Sequence, residues 1–151
     1  MADNTDIRER LALLSIEDDT RAARREFLPT LSKALPGILA QFYAHFRAQP
    51  NLAAMFQGAG AMERAAKAPE GHWISLFSGR FEDAYVASVC KIGLMHSRIG
   101  LDPRWYIGGY AFISTRLYAL AAGIHASRFA PAAARAVRLL RALNQAVMLD
   151  G

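Results

Sequence analysis

Between Ile92 and Tyr110 the chain reads IGLMHSRIGLDPRWYIGGY, and the punctuation of this stretch constrains the fold more than any other feature. Tyr85, Val86, Val89, Ile92, Met95, His96 and Ile99 recur at three- and four-residue intervals, which predicts an amphipathic helix of four turns. Gly100 suits the left-handed residue that closes a helix, Asp102 suits an N-cap and Pro103 a first helical position, so a second helix begins almost at once. His96 therefore lies on an apolar stripe near a helix end, facing an aromatic-rich partner helix.

The remaining segments repeat the helical theme. Residues 4–14 predict a short first helix capped by Asn4 or Thr5, with Ile7, Leu11 and Leu14 on one face. A second helix starts near Ile16 to Asp19, whose carboxylates favour a helix N-terminus, and runs to about Leu35 with a kink expected at Pro29. Pro36-Gly37 is expected to open a third helix, in which Ile38, Phe42 and Phe46 share a face and Tyr43 sits at its edge. Pro50 closes it, and residues 51–60 read as a loop carrying Met55 and Phe56. Residues 61–77 predict a helix bent at Pro69 and Gly71, with His72 just past the bend. The helix from Pro103 to about Gly123 is apolar on most sides, and residues 132–149 predict the last helix, with Val137, Leu140, Leu143 and Val147 on one stripe. No strand alternation occurs, so residues 1–151 read as one all-α domain of about seven helices.

Composition narrows the function classes. Hydrophobic residues make up 53% of the chain, enough for a sizeable core with apolar surface left for a cofactor or a subunit contact. The formal charge of +5 comes from scattered arginines without interleaved aromatics, so nucleic acid is not the expected partner. Cys90 is the one cysteine, which excludes a disulfide within the chain and fits a reducing compartment. The polar start MADNTDIRER lacks a signal core, and no segment offers the roughly 20 apolar residues of a membrane span, so a cytoplasmic location is expected. Phosphate loops, GxSxG elbows, HExxH and zinc-type Cys/His clusters are all missing. Glu82 and Asp83 precede a helix and read as caps instead of a catalytic pair.

Four histidines remain as chemistry-bearing candidates. His45 and His125 read as surface residues, and His72, beside Trp73, either lines a pocket or satisfies a buried carbonyl. From spacing alone His96 reads more often as a hydrogen-bonded core histidine than as a ligand to a metal or planar cofactor, and its neighbours bring the two readings level. Gly93 and Met95 beside it leave room for something flat. Phe42, Phe46, Phe56, Trp73, Trp105 and Tyr106 could wall a slot or simply fill a core.

Residues 76–110, LFSGRFEDAYVASVCKIGLMHSRIGLDPRWYIGGY, and above all the run H-x-R-I-G-L-x-P-x-W-Y around His96, resemble the sensor globin domain of the globin-coupled sensors. FYAHF at 42–46 and the two long final helices extend the resemblance over nearly the whole chain. It implies a globin-like fold and haem b held by His96 as the metal ligand. It also implies a diatomic ligand, O2 or else CO or NO, with Tyr43 donating a hydrogen bond to it and Tyr106 touching the histidine. Phe42, Phe46 and Met55 would supply apolar walls, with Trp105 beside Tyr106 completing the expected cofactor-binding set. A homodimer through residues of about 103–149 and a C-terminal output domain (a chemotaxis transducer, a diguanylate cyclase or a kinase) follow from the same resemblance, with no catalysis by the domain itself.

One departure stands out. Relatives of this kind often carry a polar or bulky aliphatic residue where this chain has Ala68 and Pro69, so a second donor to the gas is not expected here. Two other readings stay open on the sequence: a protective or enzymatic globin acting on nitric oxide or peroxide, and a cofactor-free helical interaction domain.

Overall fold

A computed structural model describes residues 4–55, 61–125, 135–136, 138–140, 142–144 and 146, with side chains described from Ile7 on except at 61–68, 124 and 125. Phe56, the side chain of Ala68, the turn after His125 and the exact limits of the last helix, with Val137 and Val147, lie outside the described residues. Six helices have defined bounds: α1 (Asn4–Leu13), α2 (Asp18–Arg47), α3 (Pro50–Ala53), α4 (Ala61–Ser78), α5 (Asp83–Arg98) and α6 (Pro103–His125). The described residues of 135–146 are helical as well, and no strand occurs among the described residues.

The expected break at Pro36-Gly37 is absent, and α2 runs unbroken for 30 residues. Pro29 and Pro36 lie seven apart, so both fall on one side of the helix, and both are exposed. The carbonyls they leave unbonded therefore face water, which can serve them. The opposite side buries Phe27, Leu31, Leu35, Ile38 and Leu39. At about 1.5–3 kcal/mol for each large apolar side chain buried, that stripe outweighs the local penalty of two prolines. α4 likewise continues through Pro69 and Gly71 as one helix.

α2, α4 and α6 share one core. Phe27 meets Phe77 with ring centroids 5.9 Å apart, and Trp73, Leu76, Ile113, Leu117 and Ala121 fill the space between. Leu139, Leu143 and Ala146 close it from the C-terminal side.

A turn that the sequence does not advertise joins α1 to α2. Ser15 adopts φ +50°. Its N–H reaches Ala12 O at 3.0 Å and that of Ile16 reaches Leu11 O at 2.9 Å, the Schellman pattern that usually recruits glycine. Burial of Ile16 in the core that Leu11 also packs against offsets the strain of a serine in that region.

α6 is not apolar on every side. Its outward row is Gly108, Ala111, Thr115, Ala119 and Ala122, small side chains, and among the described residues of α6 only Ile107 is a large exposed apolar one. No helix among the described residues is long and apolar enough to cross a membrane.

Candidate functional site

The corner predicted between α5 and α6 forms as its residue chemistry dictates. Gly100 takes φ +65°, its N–H bonds Ser97 O at 3.1 Å, and the N–H of Leu101 bonds His96 O at 2.9 Å. His96 is thus the residue whose own carbonyl anchors the helix cap. On the other side, Asp102 Oδ1 accepts the Arg104 N–H at 3.0 Å, the expected N-cap bond. Asp102 Oδ2 takes the Arg104 guanidinium at 2.8 Å, and these two bonds hold the Asp102 carboxyl below its ordinary range. The backbone on both sides of His96 is therefore fixed by short-range bonds.

The imidazole itself is half-buried and faces a cavity of about 340 Å³. α5 lines it with Val89, Ile92, Gly93 and His96, and Leu101, Tyr106 and Tyr110 close it from the α6 side. A Cβ placed on Gly93 would meet nothing within 4 Å, so the space one turn before His96 is open. The rings of His96 and Tyr106 stack at 5.7 Å with only 10° between their planes. Arg10, from the last turn of α1, brings a cation to the same cavity. The volume falls at the lower end of the roughly 300–1,000 Å³ usual for bound small molecules.

The other expected site residues form a second group. Phe42 packs edge-on against Tyr43 at 5.2 Å, lies 4.2 Å from Phe46 and 5.8 Å from Phe112. Gly109 admits this cluster onto α6, since a Cβ there would sit 3.1 Å from the Phe42 ring. Burial pushes the Tyr43 phenol up to about 12. Phe42, Tyr43 and Phe46 do not line the His96 cavity, nor do Trp105 and Met55, both half-buried. Trp105 instead carries the Arg104 guanidinium 5.9 Å over its ring. The two groups meet through one turn of α6, with Tyr106 and Tyr110 on the cavity and Gly109 under the phenylalanines.

His72 is buried and bonds the Ser88 hydroxyl at 3.2 Å through Nδ1 while stacking on Tyr85, which ties α4 to α5. His45 is exposed and stacks on Phe112. Among the described residues no three His, Cys, Asp or Glu side chains gather to hold a metal ion. His96 thus has no set of fellow ligands for a bare ion among the described residues, and a metal that brings most of its own ligands suits it. Arg10 and Tyr110 were not singled out from the sequence: nothing in the periodicity of α1 shows which later helix it covers, and Tyr110 reads as one more core aromatic.

Comparison with known proteins agrees with this architecture. Among curated proteins, the heme-based aerotactic transducer HemAT of Halobacterium salinarum is 29% identical over 134 residues, covering 87% of this chain and 27% of that protein. The chain thus spans little more than a quarter of that relative's length. Among solved structures, the globin domain of a Geobacter sulfurreducens globin-coupled sensor matches with a TM-score of 0.82 at 16% identity, over 95% of this chain and 91% of that one. The globin domain of E. coli DosC matches with a TM-score of 0.69 at 17% identity, over 95% of both chains. At such identities the likeness is one of fold, and the fold is the globin fold expected from the sequence. Residues 3–151 match the family model described as Protoglobin, and the chain belongs to the protoglobin family.

Proposed function

We propose that this chain is the gas-sensing input domain of a signalling protein and holds haem b through His96. The observation that carries this reading is one imidazole, its helix end fixed by a cap, facing a cavity of mixed apolar and polar lining. The donor set fits: a porphyrin supplies four of the iron's ligands, so a single protein nitrogen suffices. The lining fits too, with Val89, Ile92 and Leu101 as apolar wall, open space at Gly93 for a flat edge, and Arg10 as a cation for an acidic substituent.

Haem, when bound, supplies an iron with a position open to a diatomic gas. The chain's own residues do the rest. Tyr106, stacked on His96, restricts the tilt of the imidazole. Tyr43 is the proposed hydrogen-bond donor to the gas, because its phenol keeps its proton far above neutral pH. Phe42, Phe46 and Met55 are the proposed apolar surroundings of that donor.

Oxygen is the proposed ligand, with carbon monoxide and nitric oxide as further ones. The Halobacterium relative is described as an aerotactic transducer, and its length beyond the matched part leaves room for an output domain. The outward row of small residues on α6 lets a second copy's helix approach closely, which supports a homodimer through residues of about 103–149. Gas binding then shifts α5 and, through the corner, α6, by no more free energy than the ligand's preference for one of the two packings.

The test is an absorption spectrum of the purified protein, reduced and then exposed to oxygen or carbon monoxide. His96→Ala is expected to lose haem, and Tyr43→Phe to release oxygen faster. Full haem content in His96→Ala would overturn the reading, and unchanged release in Tyr43→Phe would remove Tyr43 from it.

A further inference from the structure

A second and larger cavity, about 760 Å³, opens where α1, α2 and the start of α5 meet, away from His96. Arg8, Arg21 and Arg80 line it together with Phe81, Glu82 and Asp83. Behind Phe81 lies Arg24, fully buried, its guanidinium carbon 4.9 Å from the centre of the Phe81 ring, while that of Arg21 lies 5.7 Å from the same ring. None of the three Arg24 guanidinium nitrogens has a hydrogen-bond partner, and neither does the buried Nε of Arg21. Arg25 adds a third α2 guanidinium nearby, its Nη1 3.6 Å from where a Cβ on Gly79 would stand.

A buried cation without an acceptor is among the costlier things a fold can contain, and a ring face compensates it only in part. Burial, and then the neighbouring Arg21, push the Arg24 guanidinium down to about 10. The two carboxylates of the cavity, Glu82 and Asp83, are both exposed, and three arginines, Arg8, Arg21 and Arg80, share its lining with them. α5 begins here too: Glu82 caps it without any side-chain bond, so the positive end of the helix dipole adds to the arginines. Three arginines, one of them with a buried unsatisfied Nε, and a helix start share this space, and the buried Arg24 lies behind its Phe81 wall.

We propose that this cavity binds a small oxyanion of the phosphate class, free or as a phosphate monoester, at the opposite end of the helix that carries His96. Arg21 and Arg80 supply direct charge-assisted bonds, and the buried Arg24 guanidinium, 4.9 Å from the Phe81 ring centre, feels the occupant's charge across the low-dielectric space that the ring fills. The proposal is independent of what His96 holds.

Thermal unfolding and titration calorimetry on the whole chain test it, with inorganic phosphate, with glycerol phosphate as a monoester, and with sodium chloride at matched ionic strength. Saturable binding of either phosphate, with a rise in Tm that chloride does not reproduce, is expected, and the tighter of the two identifies the source. Arg21→Gln and Arg80→Gln, both at partly or fully exposed positions, are each expected to weaken it by about tenfold, the loss of one charge-assisted bond. Arg24→Met is expected to raise Tm in phosphate-free buffer, because it removes the unsatisfied charge, and to shrink the increment that phosphate adds. Phosphate and chloride acting alike, or full phosphate binding in both glutamine variants, would overturn the site; an undiminished increment in Arg24→Met would overturn the part given to the buried guanidinium.

Discussion

α2 and α5 are both amphipathic helices with apolar residues at regular spacing, yet they bury very different amounts. α2 encloses Thr20, Ala23, Arg24, Phe27, Leu31, Leu35, Ile38 and Leu39, whereas among α5 residues only Tyr85 is buried. The contrast sharpens along α5: Tyr85 in its first turn is 2% exposed, while Leu94 and Met95 near its end are 60% and 51% exposed. The chain completes the apolar face of α2 with α4 and α6. It leaves the face of α5 around Ile92 and His96 against a cavity. A helix whose pattern asks for burial and whose own fold does not supply it is the structural mark of a site made for something else.

Four measurements can break or sharpen that contrast. The largest effect belongs to the packed side: Phe77→Ala, at a fully buried position against Phe27, is expected to cost about 3–5 kcal/mol in chemical denaturation. Next comes the loaded state. Haem at a hundred times its dissociation constant is expected to stabilise the protein by about 2.7 kcal/mol, with amide-exchange protection gained chiefly in α5. Equal protection of α2 and α5 before haem is added would erase the distinction between them. Third, Ile92→Ala is expected to cost only about 1 kcal/mol without haem, since the side chain is half-buried and borders open space. A loss as large as that of Phe77→Ala would mean that α5 is already packed.

The smallest effect is confined to alkaline solution. The folded protein raises the Tyr43 phenol from 10.0 to about 12, so the unfolded chain gives up that proton first. Its contribution is therefore complete below pH 10 and is lost as the pH climbs from 10 to 12. Stability curves of the wild type and Tyr43→Phe should diverge from their low-pH offset only in that window. Parallel curves throughout would place Tyr43 in water, outside the half-buried aromatic group.

How much of this was readable beforehand follows from where the physics is local. The α5–α6 corner was legible because Gly100, Asp102 and Pro103 each have one conformational preference, and the structure satisfies all three within a few residues. Pro36-Gly37 misled for the complementary reason. Its cost is local, but the burial of Leu31, Leu35 and Ile38 that overrides it depends on α4 and α6, which spacing within α2 does not reveal. Ser15 gave no signal at all, since its left-handed turn is stabilised by the contact between Leu11 and Ile16 and not by its own residue type. At the site, His96 and Tyr106 could be paired because the corner brings them together. Arg10 reaches the same cavity from far away in sequence, and only the folded chain shows it.

The elbow at Gly100 has no slack. The final turn of α5 is stitched to Leu101 through the His96 carbonyl, and the opening turn of α6 is stitched back to Asp102, so the seam between the two rods is hardly longer than a peptide unit. A twist that moves the imidazole cannot be absorbed at such a joint. In the proposed sensing role it would pass into α6, which shares one core through Ile113, Leu117 and Ala121 with the residues that close it from the C-terminal end. The joint that fixes one side chain in place is, by the same bonds, the crank that lets its movement leave the neighbourhood.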